Sequence, residues 1–261
     1  MSAPDGTSAR PAHAGPAPAW RRVLSQGSFE ARTILRNGEQ VLLTLVLPSM
    51  LLLVLPRTSL VDGATTPARL GVVVPGVLAV AVMSTAFTSQ AITTAFDRRN
   101  GVLRFLATTP LGRGGLLTGK ALAVLGIELG QLAFLVALAG ALGWRVESVD
   151  VVAATLAVTL GTAAFTAFGL LMAGTLRAEA VLAGANLVWA LLLVGGGVLL
   201  PVSALPGSLA ALARLLPSGA LGEALRAAIN EARWDVAAFA VLAVWAVVGA
   251  LLARRFFRWS S

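Results

Sequence analysis

The chain has no cysteine, a single histidine and few charges, and each shortage removes a class of chemistry. Without cysteine there is no disulfide, no thiolate nucleophile and no thiolate metal ligand. The one histidine, His13, lies in a Pro/Ala/Gly-rich N-terminal stretch, which removes His-based catalysis and His-dominated metal sites. Charged residues are 12% of the 261, where a soluble domain carries about a quarter. No catalytic group and no metal site is expected.

What the chain has is apolar length. Apolar residues make up 57% of it and the mean hydropathy is +0.84. Too few polar residues remain to cover a soluble core of this size, so the apolar surplus faces lipid. The runs are continuously apolar rather than alternating, which predicts helices and not a barrel. The net charge of +8 is scattered between the apolar runs instead of forming a patch, so membrane topology explains it better than nucleic acid does.

A helix needs about 20 apolar residues to cross the bilayer core. Six stretches qualify: Val41 to Leu55, Leu70 to Phe96, Leu116 to Leu142, Val151 to Thr175, Ala180 to Leu200 and Val236 to Leu252. The first is short and contains Pro48. With the N-terminus cytoplasmic, fourteen of the twenty Lys and Arg fall inside, and Arg57, Arg69, Arg145, Arg214, Arg226 and Arg233 fall outside. That bias predicts both termini inside a multi-pass cell-membrane protein. Trp20, Trp144, Trp234 and Trp259 sit near the expected span ends, where aromatic belts form. The first 19 residues lack the apolar core of a signal peptide and read as a disordered tail. The expected division is a cytoplasmic tail over 1–27 and a membrane domain over 28–261.

Three non-spanning segments carry further information. Ser28 to Asn37 mixes Phe29, Ile34 and Leu35 with Glu30, Arg32 and Arg36, predicting an amphipathic helix on the inner surface with Ser28 as its N-cap. Pro201 to Trp234 is punctuated by Pro201, Pro206 and Pro217; Ser208 to Leu216 and Ala220 to Ala232 have helical periodicity. Two short helices capping the outer face or dipping into it are expected there. Between spans two and three, Val102, Leu103, Phe105 and Leu106 form an apolar stripe flanked by Arg98, Arg99 and Arg104 before Pro110. A short amphipathic helix of this kind suits a groove on a cytosolic partner; an ordinary solvated loop obeying the positive-inside rule is the alternative.

Within the spans, Glu128 is the one acidic residue near mid-membrane, with Gln131 one turn along. A carboxylate there is costly and faces a cavity or a partner group, so the pair lines a substrate path or packs between helices. Ser84, Thr88 and Gln90 in span two are path candidates as well, although such hydroxyls more often satisfy local carbonyls. Gly126 and Gly130 make a G-x-x-x-G, a weak signal in spans this rich in Gly and Ala. Gly114 to Lys120 fits the start of a phosphate loop, but Ala121 replaces the magnesium-binding hydroxyl and no strand precedes it. Lys120 is better read as an interfacial anchor. With no cysteine, no histidine beyond the tail and no aspartate in a span, an intramembrane hydrolase cannot be assembled.

The string DRRNGVLRFLATTPLGRGGLLTGK resembles the segment R-x-x-G-x-L ending in T-P-L and G-K of ABC transporter type-2 permeases, including the daunorubicin-resistance exporter permeases. LRNGEQVLLTLVLPSMLLL is similar to that family's approach to its first span, and VGGGVLLPVSALPGSLAALARLLPSGALGEALR to its fifth span and outer helices. The similarity covers roughly residues 28 to 257. It implies an all-α membrane domain of six transmembrane helices. It also implies a coupling helix within Asp97, Arg98, Arg99, Gly101, Leu103, Phe105, Leu106, Thr109 and Pro110, and a dimer with a second, identical or different, permease subunit. Two copies of a separate ATPase subunit would bind ATP and magnesium, this chain holding no cofactor, and would drive export of an amphipathic or hydrophobic compound. Arg104 departs from the family, which often has an acidic or apolar residue there. An ion-coupled secondary transporter is the competing reading; it needs several intramembrane ionisable groups, and this chain offers only Glu128.

Overall fold

In lipid every backbone N–H and C=O must be satisfied within the chain, and a helix does this locally. The computed structural model describes residues 17–36, 38–59, 65–107 and 112–258, and among these the regular structure is helical, without strands. The helices in chain order are α1 (Ala19–Arg36), α2 (Gly38–Val54), α3 (Thr66–Met83), α4 (Gln90–Arg99), α5 (Val102–Ala107), α6 (Gly112–Ala141), α7 (Val151–Thr175), α8 (Ala178–Gly195), α9 (Gly207–Leu215), α10 (Pro217–Asn230) and α11 (Val236–Phe256). A π-helical segment, Ser84–Ser89, joins α3 to α4 into one rod.

Among the described residues five helices are long and apolar enough to cross a membrane: Ala68–Arg99, Thr118–Ala141, Val151–Thr175, Ala178–Gly195 and Val236–Phe256. The expected first span is shorter, an apolar helix over Thr44–Arg57 that contains Pro48 and ends in the turn Leu55–Arg57. At 1.5 Å per residue it reaches about 21 Å against a core of about 30 Å. The chain is an all-helical, multi-pass membrane protein.

The α3–α4 rod is the axis of the bundle: 83% of its most apolar stretch is buried, against 17% for α8. Its core residues, Val73, Val77, Val80 and Met83, are fully enclosed, and α7 and α8 pack on α4. The outer helices turn Leu129, Leu187, Leu191, Val194, Val244 and Leu251 outward, the surface a lipid solvent requires.

Hydrogen bonds define two ends. At one, the backbone N–H of Arg258 donates to the Gly174 carbonyl (3.1 Å) and the Arg98 guanidinium to the Leu176 carbonyl; α1 lies here, against α6. At the other, the Asp150 N–H donates to the Ala228 carbonyl (2.8 Å) and the Asn230 amide to the Gly71 carbonyl (2.9 Å).

Three expectations change. The N-terminal helix starts at Ala19, so residues 19–27 are not tail; Ser28 is mid-helix, donating to the Ser25 carbonyl (2.9 Å), and caps nothing. Span five stops at Gly195, because Gly197 adopts a left-handed φ of 67° and turns the chain. The outer helices form as expected, and α10 dips inward: Ala220, Leu221, Ala224, Leu225 and Ala228 are all buried against α3, α7 and α11.

Candidate functional site

At the α1 end, α4 stops at Arg99. Gly101, at φ 77°, makes the left-handed turn that lets α5 begin at once, a conformation a side chain disfavours. The short helix then has two characters. Leu103 is 1% exposed and anchored in the protein, while Phe105 is 71% exposed and Val102 40%; Leu106 is half-buried. Thr109 and Pro110 lie outside the described residues.

The root of this segment is pinned by charge. Lys120, in α6 at the start of its Thr118–Ala141 apolar stretch, is 2% exposed, and its Nζ lies 2.8 Å from Asp97 Oδ2 and 3.0 Å from Glu30 Oε1 of α1. The Gln26 amide also donates to Glu30 Oε1 (3.0 Å). Helices α1 and α6 can meet this closely because glycines face each other: a Cβ on Gly119 would stand 2.9 Å from Gln26 Cγ, and one on Gly27 3.2 Å from the Gly119 carbonyl oxygen. Lys120 is therefore a buried ionic hub joining α1, α4 and α6, not an exposed interfacial anchor. Arg98 turns the other way and caps the last turn of α7 at Leu176, and Arg99 pairs with Glu179 of α8 at 2.5 Å, both exposed. On α1, helical spacing puts Phe29 on the same side as Arg32 and Arg36 and away from Trp20, Leu24 and Leu35; all are exposed.

The intramembrane polar residues are mostly occupied with one another. Gln131 accepts from Thr85 Oγ1 (2.8 Å) and donates to the Thr44 carbonyl (2.8 Å), tying α6 to the π-helical segment and α2. Ser84 donates to the Val80 carbonyl (2.7 Å) and accepts from Trp189 Nε1 (2.9 Å). The Gln90 amide donates to Thr94 Oγ1 (3.1 Å). Glu128 is wholly buried; its Oε2 accepts from Thr162, and its Oε1 has no hydrogen-bond partner among the described residues. Thr88 Oγ1 is likewise buried and unpartnered. Gln131, Ser84 and Gln90 thus act here as fasteners between or along helices. A Cβ at Gly126 or Gly130 would meet nothing within 4 Å, so among the described residues no other helix packs closely on that motif.

Of the cavities that adjoin the bundle axis, two flank α4 and the π-helical segment. A cleft of about 380 Å³ is walled by Phe87 of the π-helical segment, Phe165, Phe168, Met172, Leu192 and Trp245. A polar cavity of about 500 Å³ at the α1 end is lined by Arg98, Arg99, Arg177, Arg258 and Glu179. A family model described as ABC-2 family transporter protein matches residues 61–255. The chain belongs to that family. No curated protein matches it. It is a membrane component of an ABC transporter, of the permease type.

In this permease the phosphate-loop-like string Gly114 to Lys120 is part of the continuous helix α6, and its lysine is spent on two carboxylates. Sequence reasoning missed the partners of Lys120: the clue was a lone lysine abutting an apolar run, with Asp97 and Glu30 as the acidic residues bordering neighbouring segments. It also missed Arg226, counted as an outer-loop charge. Arg226 is 6% exposed; its guanidinium donates to the Val198 carbonyl (2.9 Å) and pairs with Glu223 (3.0 Å), whose Oε1 in turn accepts from the Val202 N–H (2.9 Å). Burial pushes the Arg226 guanidinium below its ordinary value while Glu223 supports its charge. These bonds close the Gly195–Val202 turn over α10.

Proposed function

We propose that this protein is the membrane-spanning subunit of an ATP-driven exporter of amphipathic or hydrophobic compounds. It works as a dimer with a second permease subunit and docks two copies of a separate ATPase, which bind ATP and magnesium. The α1 end, with both termini, is cytoplasmic. The observation that carries the reading is the two-faced helix α5: Leu103 is locked into the protein while Phe105 stands outward. The hub at Lys120 joins its root to α1 and α6. A knob so mounted transmits a push, because packed helices move as units and not as continuously deformable matter.

The aromatic cleft beside Phe87 supports an apolar cargo, since such a surface offers dispersion and ring contacts but few hydrogen bonds. The π-helical segment bordering it widens the rod locally, a feature frequent at functional sites. Glu128 is the observation that favours an ion-coupled carrier. It is one group where such carriers use several, and in this conformation it is sealed from any open path.

Reconstituted with its ATPase, the complex should move a lipophilic dye when supplied with ATP and continue after the proton gradient is collapsed. Transport that stops with the gradient and ignores ATP would make it a secondary carrier.

A further inference from the structure

The arginine-lined cavity and the aromatic cleft adjoin at Thr175. That residue lines both, and its hydroxyl is turned back onto the Leu171 carbonyl (2.8 Å), so it sets no polar barrier between them. In the cavity four arginines face a single carboxylate. Two of the four are engaged, Arg98 by the Leu176 carbonyl and Arg99 by Glu179. The side chains of Arg177 and Arg258 have no hydrogen-bond or ion-pair partner among the described residues.

The crowding is built and not incidental. Arg258 is close enough to Arg98 for the two to repel. It is nonetheless held in place, by its N–H on the Gly174 carbonyl (3.1 Å) and by Phe257 lying on Gly174, where a Cβ would come 2.4 Å from the ring. Like charges aimed into one space cost energy unless an anion neutralises them. A topology signal explains arginines near the membrane surface; it does not explain why they converge on the mouth of an apolar cleft.

We infer that the cavity and the cleft together bind an anionic phospholipid of the leaflet at the α1 end. Its phosphate sits between Arg177 and Arg258 and one acyl chain runs along the cleft. Guanidinium forks match phosphate oxygens, and basic pockets between transmembrane helices on the cytoplasmic side take anionic headgroups. The chain length agrees. Phe165, Phe168, Met172 and Thr175 line the cleft along α7, a run of about 15 Å at 1.5 Å per residue, which is half of a hydrocarbon core of about 30 Å. A soluble anion would have no use for that apolar run. Binding is independent of the ATPase, so it stands or falls separately from the exporter reading.

Trp245 in the cleft wall reports on the chain. The full-length protein in mixed micelles is titrated with phosphatidylglycerol or phosphatidylcholine carrying brominated acyl chains. Comparison with Trp245→Phe isolates the Trp245 emission. Brominated phosphatidylglycerol should quench that emission several-fold more effectively than the zwitterionic lipid, and Arg177→Gln with Arg258→Gln should reduce it to the phosphatidylcholine level. Each single variant should lose part of the preference, which decides the matter if the double variant misfolds. Soluble glycerol phosphate should leave the melting temperature unchanged at concentrations where phosphatidylglycerol raises it. Equal quenching by both lipids, a preference that survives removal of the arginines, or an equal shift from glycerol phosphate would overturn the inference.

Discussion

Lys120 and Asp97 meet at 2.8 Å with the lysine 2% exposed, so the end of the Ala68–Arg99 span and the start of the Thr118–Ala141 span are one ionic unit, and Glu30 makes α1 part of it at 3.0 Å. Removing one member of a buried set leaves the others charged and unpaired, which costs about 3–5 kcal/mol, whereas removing all of them costs far less. Lys120→Met should therefore lower the melting temperature of the detergent-purified protein sharply. Adding Glu30→Gln and Asp97→Asn to it should restore most of the loss. A triple variant no more stable than Lys120→Met would show that the hub stabilises by packing and not by charge.

Phe105 and Leu103 separate docking from folding. Both belong to the apolar stripe of residues 102–106, yet one is 71% exposed and the other 1%. Phe105→Asp should leave membrane abundance near wild type and abolish co-purification of the ATPase. Leu103→Asp places a charge in the core, and its abundance should fall by itself. Normal recovery of the ATPase with Phe105→Asp would remove α5 as the docking helix.

Those two residues also show how far the sequence could be read. Helical spacing, proline stops and apolar run lengths located α7 to the residue at Val151–Thr175 and the paired outer helices to within a few positions, because lipid leaves the backbone one local solution. Periodicity gave Leu103 and Phe105 the same stripe. Two positions apart on a helix they lie on nearly opposite faces; which of the two faces is buried is tertiary, set by the left-handed turn at Gly101 and the neighbours it brings near. The same holds for Lys120, whose partners lie 23 and 90 positions away, and for Gln131, whose hydrogen bonds reach Thr44 and Thr85. Long-range pairings of this kind leave no local pattern in a single chain.

Glu128 is enclosed by the protein, with Thr162 donating to one carboxyl oxygen. Glu128→Gln keeps that acceptor and the side-chain shape, so abundance and ATP-driven transport should both stay near wild type. Glu128→Leu leaves the Thr162 hydroxyl to fall back on a carbonyl of its own helix, and the loss should be about 1 kcal/mol, near the lower bound for an orphaned buried group. Measured together, melting temperature and transport distinguish the roles. A transport defect in Glu128→Gln at unchanged stability would make the carboxylate part of the path and would favour the ion-coupled reading.

Asp150 links pH to the opposite end of the bundle. Its Oδ1 accepts from the Ala153 N–H (2.9 Å) as the N-cap of α7, and its Oδ2 accepts from Trp234 Nε1 (2.8 Å). The Ala153 N–H, and with it the Trp234 indole, holds the carboxyl below its ordinary value of 3.8. A carboxyl depressed in the folded state contributes stability at pH above its unfolded value and loses it as pH falls through the folded one. The contribution is therefore intact at neutral pH and disappears below about pH 4. Asp150→Asn keeps a cap of equal quality and cannot titrate, so its melting temperature should fall less than wild type's between pH 5 and pH 2. The environment of Trp234 should change with pH in the wild type alone. Parallel pH profiles for the two proteins would show that the cap is made equally well by the protonated acid and that this link between α7 and the start of α11 is not a charged one.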